Sequence, residues 1–145
     1  VRKPESIALQ ALRVKLEEYL PDLFGSYRVD QSRDYSVEIG EVVVYLAPKA
    51  WTEESAIVTL FTYTNEEVAV SYDTLATLNA LNTRLTFGTY VLDERARLVI
   101  FEHSLLGDHM DPEELRAAVY AVAGGAFFYA EEIRDVGGGR LWTEG

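Results

Sequence analysis

From residue 5 to residue 20, Leu9, Leu12, Leu16 and Leu20 recur every three or four positions, with Tyr19 beside them. That spacing lays them along one stripe of an amphipathic helix, and Pro21 is read as its end. The period then changes to two. Tyr35, Val37 and Ile39 alternate with polar residues, Gly40 interrupts, and residues 42–46 are apolar and largely β-branched up to Pro48, which is read as a stop. Residues 56–63 (Ala-Ile-Val-Thr-Leu-Phe-Thr-Tyr) read as a strand buried on much of both faces.

A second helix is expected over residues 72–85, capped by Ser71 or Asp73, whose side-chain oxygens can accept a free N–H of the first turn. Residues 87–92 and 98–106 read as two strands joined by the polar turn Asp93-Glu94-Arg95-Ala96, a hairpin. The last helix has the strongest start signal, with Asp111 as cap, Pro112 at the first helical position and Glu114 three residues after the cap. It is expected to run to about residue 135, where Gly137-Gly138-Gly139 stops it and leaves residues 140–145 as a loose tail. The order α-βββ-α-ββ-α places strands next to strands, which implies an α+β fold with helices packed on an antiparallel sheet. One domain is expected over residues 1–136, with a glycine-rich tail over 137–145.

The 145 residues, 48% apolar and 26% charged, suit one ordinary globular domain. No apolar run reaches the roughly 20 residues of a membrane span and no segment resembles a signal peptide, so a cytoplasmic protein is expected. The net charge of −11 argues against nucleic acid as a partner, because phosphates call for a basic footprint. Between Lys49 and Arg84 stand five acids (Glu53, Glu54, Glu66, Glu67 and Asp73) and no base, either a solvated face or an attractor for basic segments.

Candidate chemistry is thin. The absence of cysteine removes disulfides, thiolate nucleophiles and cysteine-ligated metals. Asp108, His109 and Asp111 lie close in sequence, but Asp111 is accounted for as a cap and no second motif supplies further ligands; no metal and no cofactor are expected. No Gly-x-Ser-x-Gly stands in the chain, and the pairs Glu66-Glu67 and Glu131-Glu132 point apart on a strand or helix. No enzyme activity is expected.

The informative segment is Leu78-Asn79-Ala80-Leu81-Asn82. At 100° per residue, Asn82 lands within the apolar stripe of Leu75, Leu78 and Leu85, and Asn79 at its border. A desolvated amide must find partners or cost about 1–3 kcal/mol. Asn82 is therefore expected to bond open backbone groups where the helix meets Phe87-Gly88, or else the backbone of a guest. With Phe87-Gly88 opening a strand and the run Tyr90-Val91-Leu92-Asp93 leading into the hairpin turn, this segment resembles the YbjN-like domains, which share a fold with type III secretion chaperones. The resemblance implies a non-enzymatic chaperone-like or regulatory module that holds a protein or peptide client, commonly as a homodimer. The competing class is a small-molecule sensor or enzyme with an acidic pocket, which calls for a deep cavity with convergent polar groups.

On the last helix, Leu115, Ala118, Val119, Val122, Ala126, Tyr129 and Ile133 share the face expected to pack on the sheet. Tyr120, Gly124, Phe127 and Phe128 fall off that face, an apolar patch expected to meet a second copy of the chain or, alternatively, the first helix of the same chain.

Overall fold

The computed structural model describes residues 4–144. Helix α1 (Ile7–Phe24) is followed by β1 (Arg28–Val29), β2 (Tyr35–Ile39), β3 (Val42–Ala50) and β4 (Ala56–Glu66). Then come α2 (Tyr72–Asn82), β5 (Thr89–Asp93), β6 (Leu98–Leu106), α3 (Pro112–Gly125), α4 (Ala130–Gly137), β7 (Arg140–Leu141) and a 3-10 turn over Trp142–Glu144. The strands form one antiparallel sheet in the order β1-β2-β3-β4-β6-β5, with β7 added beside the far end of β4. The fold is the expected α+β arrangement of helices on an antiparallel sheet.

Strand alternation gives the sheet two different faces. On the inner face Tyr35, Val37, Val44, Leu46, Val58 and Leu60 meet Leu12, Leu16 and Leu20 of α1 and Leu115, Val119 and Val122 of α3 in the larger core. Beside it Tyr90, Val99 and Phe101 meet Leu78 and Leu81 of α2 and Ile133 of α4 in a smaller one. The outer-pointing residues of β3, β4 and β6 belong to neither core.

Several expected boundaries moved, each for a physical reason. Pro21 does not end α1. The helix continues one turn, with Leu23 and Phe24 packed on the core and the Gly25 N–H capping the Pro21 carbonyl. Pro48 does not end its strand. The pairing of β2 to β3 stops at Tyr35 and Leu46, so Pro48 borders an open edge, where a missing N–H interrupts no ladder, while β4 still pairs with its other side. The third long helix is two helices. The Ala126 carbonyl takes the Tyr90 hydroxyl at 2.7 Å and the Ala130 carbonyl takes the Asn65 amide at 2.9 Å, and both lie at the break after the helix-weakening pair Gly124-Gly125. Nor is the stretch after the glycines loose through Trp142, since Arg140 and Leu141 pair with Glu66 and Asn65. Asp111 caps α3 through Glu114 N–H, and Ser71 caps α2 through Thr74 N–H, as read.

Candidate functional site

Among the described residues the four α-helices pack from one side, so no α-helix covers the outer face of the sheet. Across it runs a row of rings. Tyr45 of β3 stacks on Phe61 of β4 at 5.2 Å, and Tyr63 stands edge-on to Tyr45 at 5.6 Å and to Phe61 at 5.9 Å. Trp142 lies against Tyr63 at 4.9 Å. Register explains the row, because Tyr45 is paired with Phe61 and Tyr63 lies two residues further along the same face. Val43, Ile57 and Ile100, all half-buried, and the more exposed Val91 and Leu106 extend the apolar area around the rings. Thr59 and Ser104 bond each other at 2.9 Å beyond Phe61, and Glu102 stands across from it. Burial, with Tyr45 and Asp93 nearby, pushes the Tyr63 hydroxyl above its ordinary pKa, so it stays a neutral hydrogen-bond donor over the usual pH range.

Two clefts flank the sheet. One of about 380 Å³ lies beside the start of α1, where Ile7, Ala8 and Ala11 face Gly107 and Lys15 donates to the carbonyls of Gly107 and Asp108. The other, about 520 Å³, runs from Phe24 and Tyr27 past β1 to Glu38, Val43 and Tyr45, and so opens onto the ring row. Asp34, whose carboxyl is pushed up by burial and by Asp30, lies in the β1–β2 turn and lines neither. Among the described residues no group of three or more His, Asp or Glu is arranged to hold a metal. The five acids of the base-free stretch do not form one surface. Glu53 and Glu54 lie in the β3–β4 turn, Glu66 and Glu67 at the opposite end of the eleven-residue strand β4, and Asp73 on α2.

The residues singled out in the sequence fall elsewhere. Leu78 and Leu81 are core, and Asn79 is exposed. Asn82 bonds backbone, though at Tyr90 rather than at Phe87-Gly88. Its Nδ2 donates to the Tyr90 carbonyl at 3.0 Å and its Oδ1 accepts the Tyr90 N–H at 2.8 Å. Both groups point away from β6, so the amide occupies the open edge of β5 as a neighbouring strand would. Leu75, expected in the buried stripe, is 44% exposed because α2 turns only Thr74, Leu78 and Leu81 inward. Phe87 stacks on His103 at 3.7 Å, and Gly88, at φ +80, leaves room for the Phe101 ring, which a Cβ would meet at 2.2 Å.

The four aromatic and glycine positions of the last helix are not one patch, because the break after Gly125 rotates the residues beyond it. Phe127 packs against the smaller core, and Tyr120 is half-exposed with its ring 5.8 Å from Phe24 of α1. Gly124 is exposed, and Phe128 is 77% exposed and touches Tyr129 edge-on. The ring row itself escaped sequence reading. Its only signal was the alternation Phe61-Thr62-Tyr63 in a strand taken as buried on both sides.

Among the described residues no helix is long and apolar enough to cross a membrane. The fold is that of known secretion chaperones. A chain of the HopA1–SchA chaperone–effector complex superposes with a TM-score of 0.65 at 12% identity, over 91% of this chain and 99% of that one. A chain of the ExsC–ExsE complex gives 0.61 at 16% identity, over 89% and 97%. A chain of the Yersinia pestis type III secretion chaperone SycH in complex with a stable fragment of YscM2 gives 0.56 at 15%, over 86% and 98%. No curated protein sequence matches the chain closely enough to count as a relative. A family model does match, over residues 10–145, and it describes chaperones that bind peptides. The chain therefore belongs to the family of T3SS (YopN, CesT) and YbjN peptide-binding chaperones.

Proposed function

We propose that this protein holds a peptide segment of a client against the outer face of its sheet, by binding alone and without chemical turnover. The observation that carries the reading is the row Tyr45, Phe61 and Tyr63, with Trp142 of the C-terminal segment laid on its end, on a face that no α-helix of the described residues covers. Half-exposed rings lose their remaining water when a client lies on them, at about 25 cal/mol per Å² of apolar surface covered. The cleft leading from Phe24 and Tyr27 to Tyr45 gives the segment a way onto the row. A sheet face lined with aromatic and β-branched side chains accepts many apolar sequences, which suits a holder of clients.

The test is an array of immobilised 15-residue peptides probed with the full chain. The parent protein is expected to retain aromatic and aliphatic peptides. Phe61→Asp and Tyr45→Asp, each checked for folding by circular dichroism, are expected to lose them. Retention undiminished by both substitutions would overturn the assignment of the face.

The proposed assembly is a homodimer, and the observation that favours it is the 77% exposure of Phe128. Light scattering of the parent and of Phe128→Glu decides it, with a folded monomer expected only from the variant.

A further inference from the structure

One end of the ring row is already occupied by the chain itself. After α4 the backbone turns through Gly138 and Gly139, both at φ +73, and crosses onto β4. A Cβ on Gly139 would lie 2.1 Å from the Glu66 carbonyl oxygen, so the crossing depends on a residue without a side chain. Arg140 and Leu141 then pair with Glu66 and Asn65. They fill the row beside β4 that β3 leaves open, since β3 pairs with β4 no further than Tyr45 and Phe61. The Arg140 guanidinium donates to the Glu66 carboxylate, and Trp142 lays its ring on Tyr63.

The segment thus makes the three contacts an extended guest would make, namely backbone pairing to a strand, a charge pair and a ring in the aromatic row. The backbone pairing covers two residues, Leu141 is half-buried, and Trp142 stays 37% exposed. The short tether through Gly138 and Gly139 also keeps the segment near its site, at an effective concentration on the order of millimolar.

We propose that Arg140–Glu144 is a displaceable strap over one end of the peptide seat, and that the guest replacing it is an extended segment with a basic residue two positions before an aromatic one. The proposal rests on the peptide-holding reading of the outer face and adds the regulation and the preferred ligand class of that face. A seat covered most of the time binds with an affinity lowered by the fraction of time it is open, so freeing the strap strengthens binding without altering the seat.

The experiment uses the full chain. Gly139→Val brings a side chain against the Glu66 carbonyl at a φ that β-branched residues avoid, so the strap cannot close while Glu66 and Tyr63 stay intact. The probe is a fluorescein-labelled peptide of residues 139–145 (Gly-Arg-Leu-Trp-Thr-Glu-Gly), followed by anisotropy. Gly139→Val is expected to bind it at least tenfold more tightly than the parent does. Replacing the peptide's arginine by glutamate, or its tryptophan by alanine, is expected to remove that gain. Arg140→Glu, which opposes Glu66, is a second way to open the strap should Gly139→Val fail to fold. Equal affinity for the parent and the opened variants would overturn the proposal, as would binding indifferent to the peptide's arginine and tryptophan. If apolar array peptides still require Phe61 in that case, the strap alone is refuted and the seat stands. If they do not, both fall.

Discussion

Replacing Asn82 with leucine removes the two-pronged bond to the Tyr90 backbone and leaves an N–H and a carbonyl of β5 without their partners. An unpaired backbone group costs about 1–3 kcal/mol when dry. Asn82 is half-buried at a sheet edge, so water reaches part of the gap and each group falls at the low end of that range. The loss worked from this geometry is about 2 kcal/mol in total. Leucine regains little, because the half-buried position 82 faces the backbone of β5. The assay is urea unfolding followed by circular dichroism, with the midpoint lowered and the slope m unchanged. Asn82→Asp separates bonding from packing. It keeps an acceptor for the Tyr90 N–H but sets a second carboxylate oxygen against the Tyr90 carbonyl, so it should be at least as unstable as the leucine variant at pH 7. A leucine variant within about 0.5 kcal/mol of the parent, the ordinary range for an exposed surface site, would refute the idea that the amide holds the edge of β5.

Three further outcomes follow from the same geometry. Tyr90 donates its hydroxyl to the Ala126 carbonyl, and burial raises its pKa to about 12 from an ordinary 10. The folded chain therefore keeps a proton that the unfolded chain releases, and stability falls as pH rises from 10 to 12, a slope that Tyr90→Phe should flatten. Burial lowers the pKa of His103 below 6.5, so the unfolded chain binds the proton first; stability falls as pH drops below 6.5, and His103→Gln removes that dependence in urea titrations. Phe127→Glu puts a charge against the smaller core and should cost more than about 2 kcal/mol by the same titration.

The helical leucines of α1, the caps at Ser71 and Asp111 and the hairpin at Asp93 were legible because each rests on local spacing or local bonding. The Asp93 carboxylate accepts the N–H groups of Arg95 and Ala96, as its place in a polar turn implies. The roles of Pro21 and Pro48 were not legible, since whether a proline stops an element depends on neighbours distant in sequence. The break between α3 and α4 depends on Asn65 and Tyr90, which reach it from β4 and β5. Asn65 itself sits in Thr-Tyr-Thr-Asn-Glu, which gives no sign that it is fully buried beside a bulge. For the candidate site the difficulty was sharper. An aromatic residue pointing out of a sheet and one pointing into its core produce the same alternation, and only the position of the helices decides which face is covered. The tail after the three glycines read as loose because its partner strand lies more than seventy residues earlier.

The most direct test of a peptide seat on the outer face is to follow the ring resonances of Tyr45, Phe61, Tyr63 and Trp142 by NMR while an array-selected apolar peptide is titrated into the full chain. These rings are expected to shift together and saturably, along with the backbone amides of the paired residues Ala47, Thr59 and Ser104, while Tyr72 and Leu75 of α2 stay unchanged. Shifts confined to α2, α4 or the β5 edge, with the four rings unmoved, would contradict it.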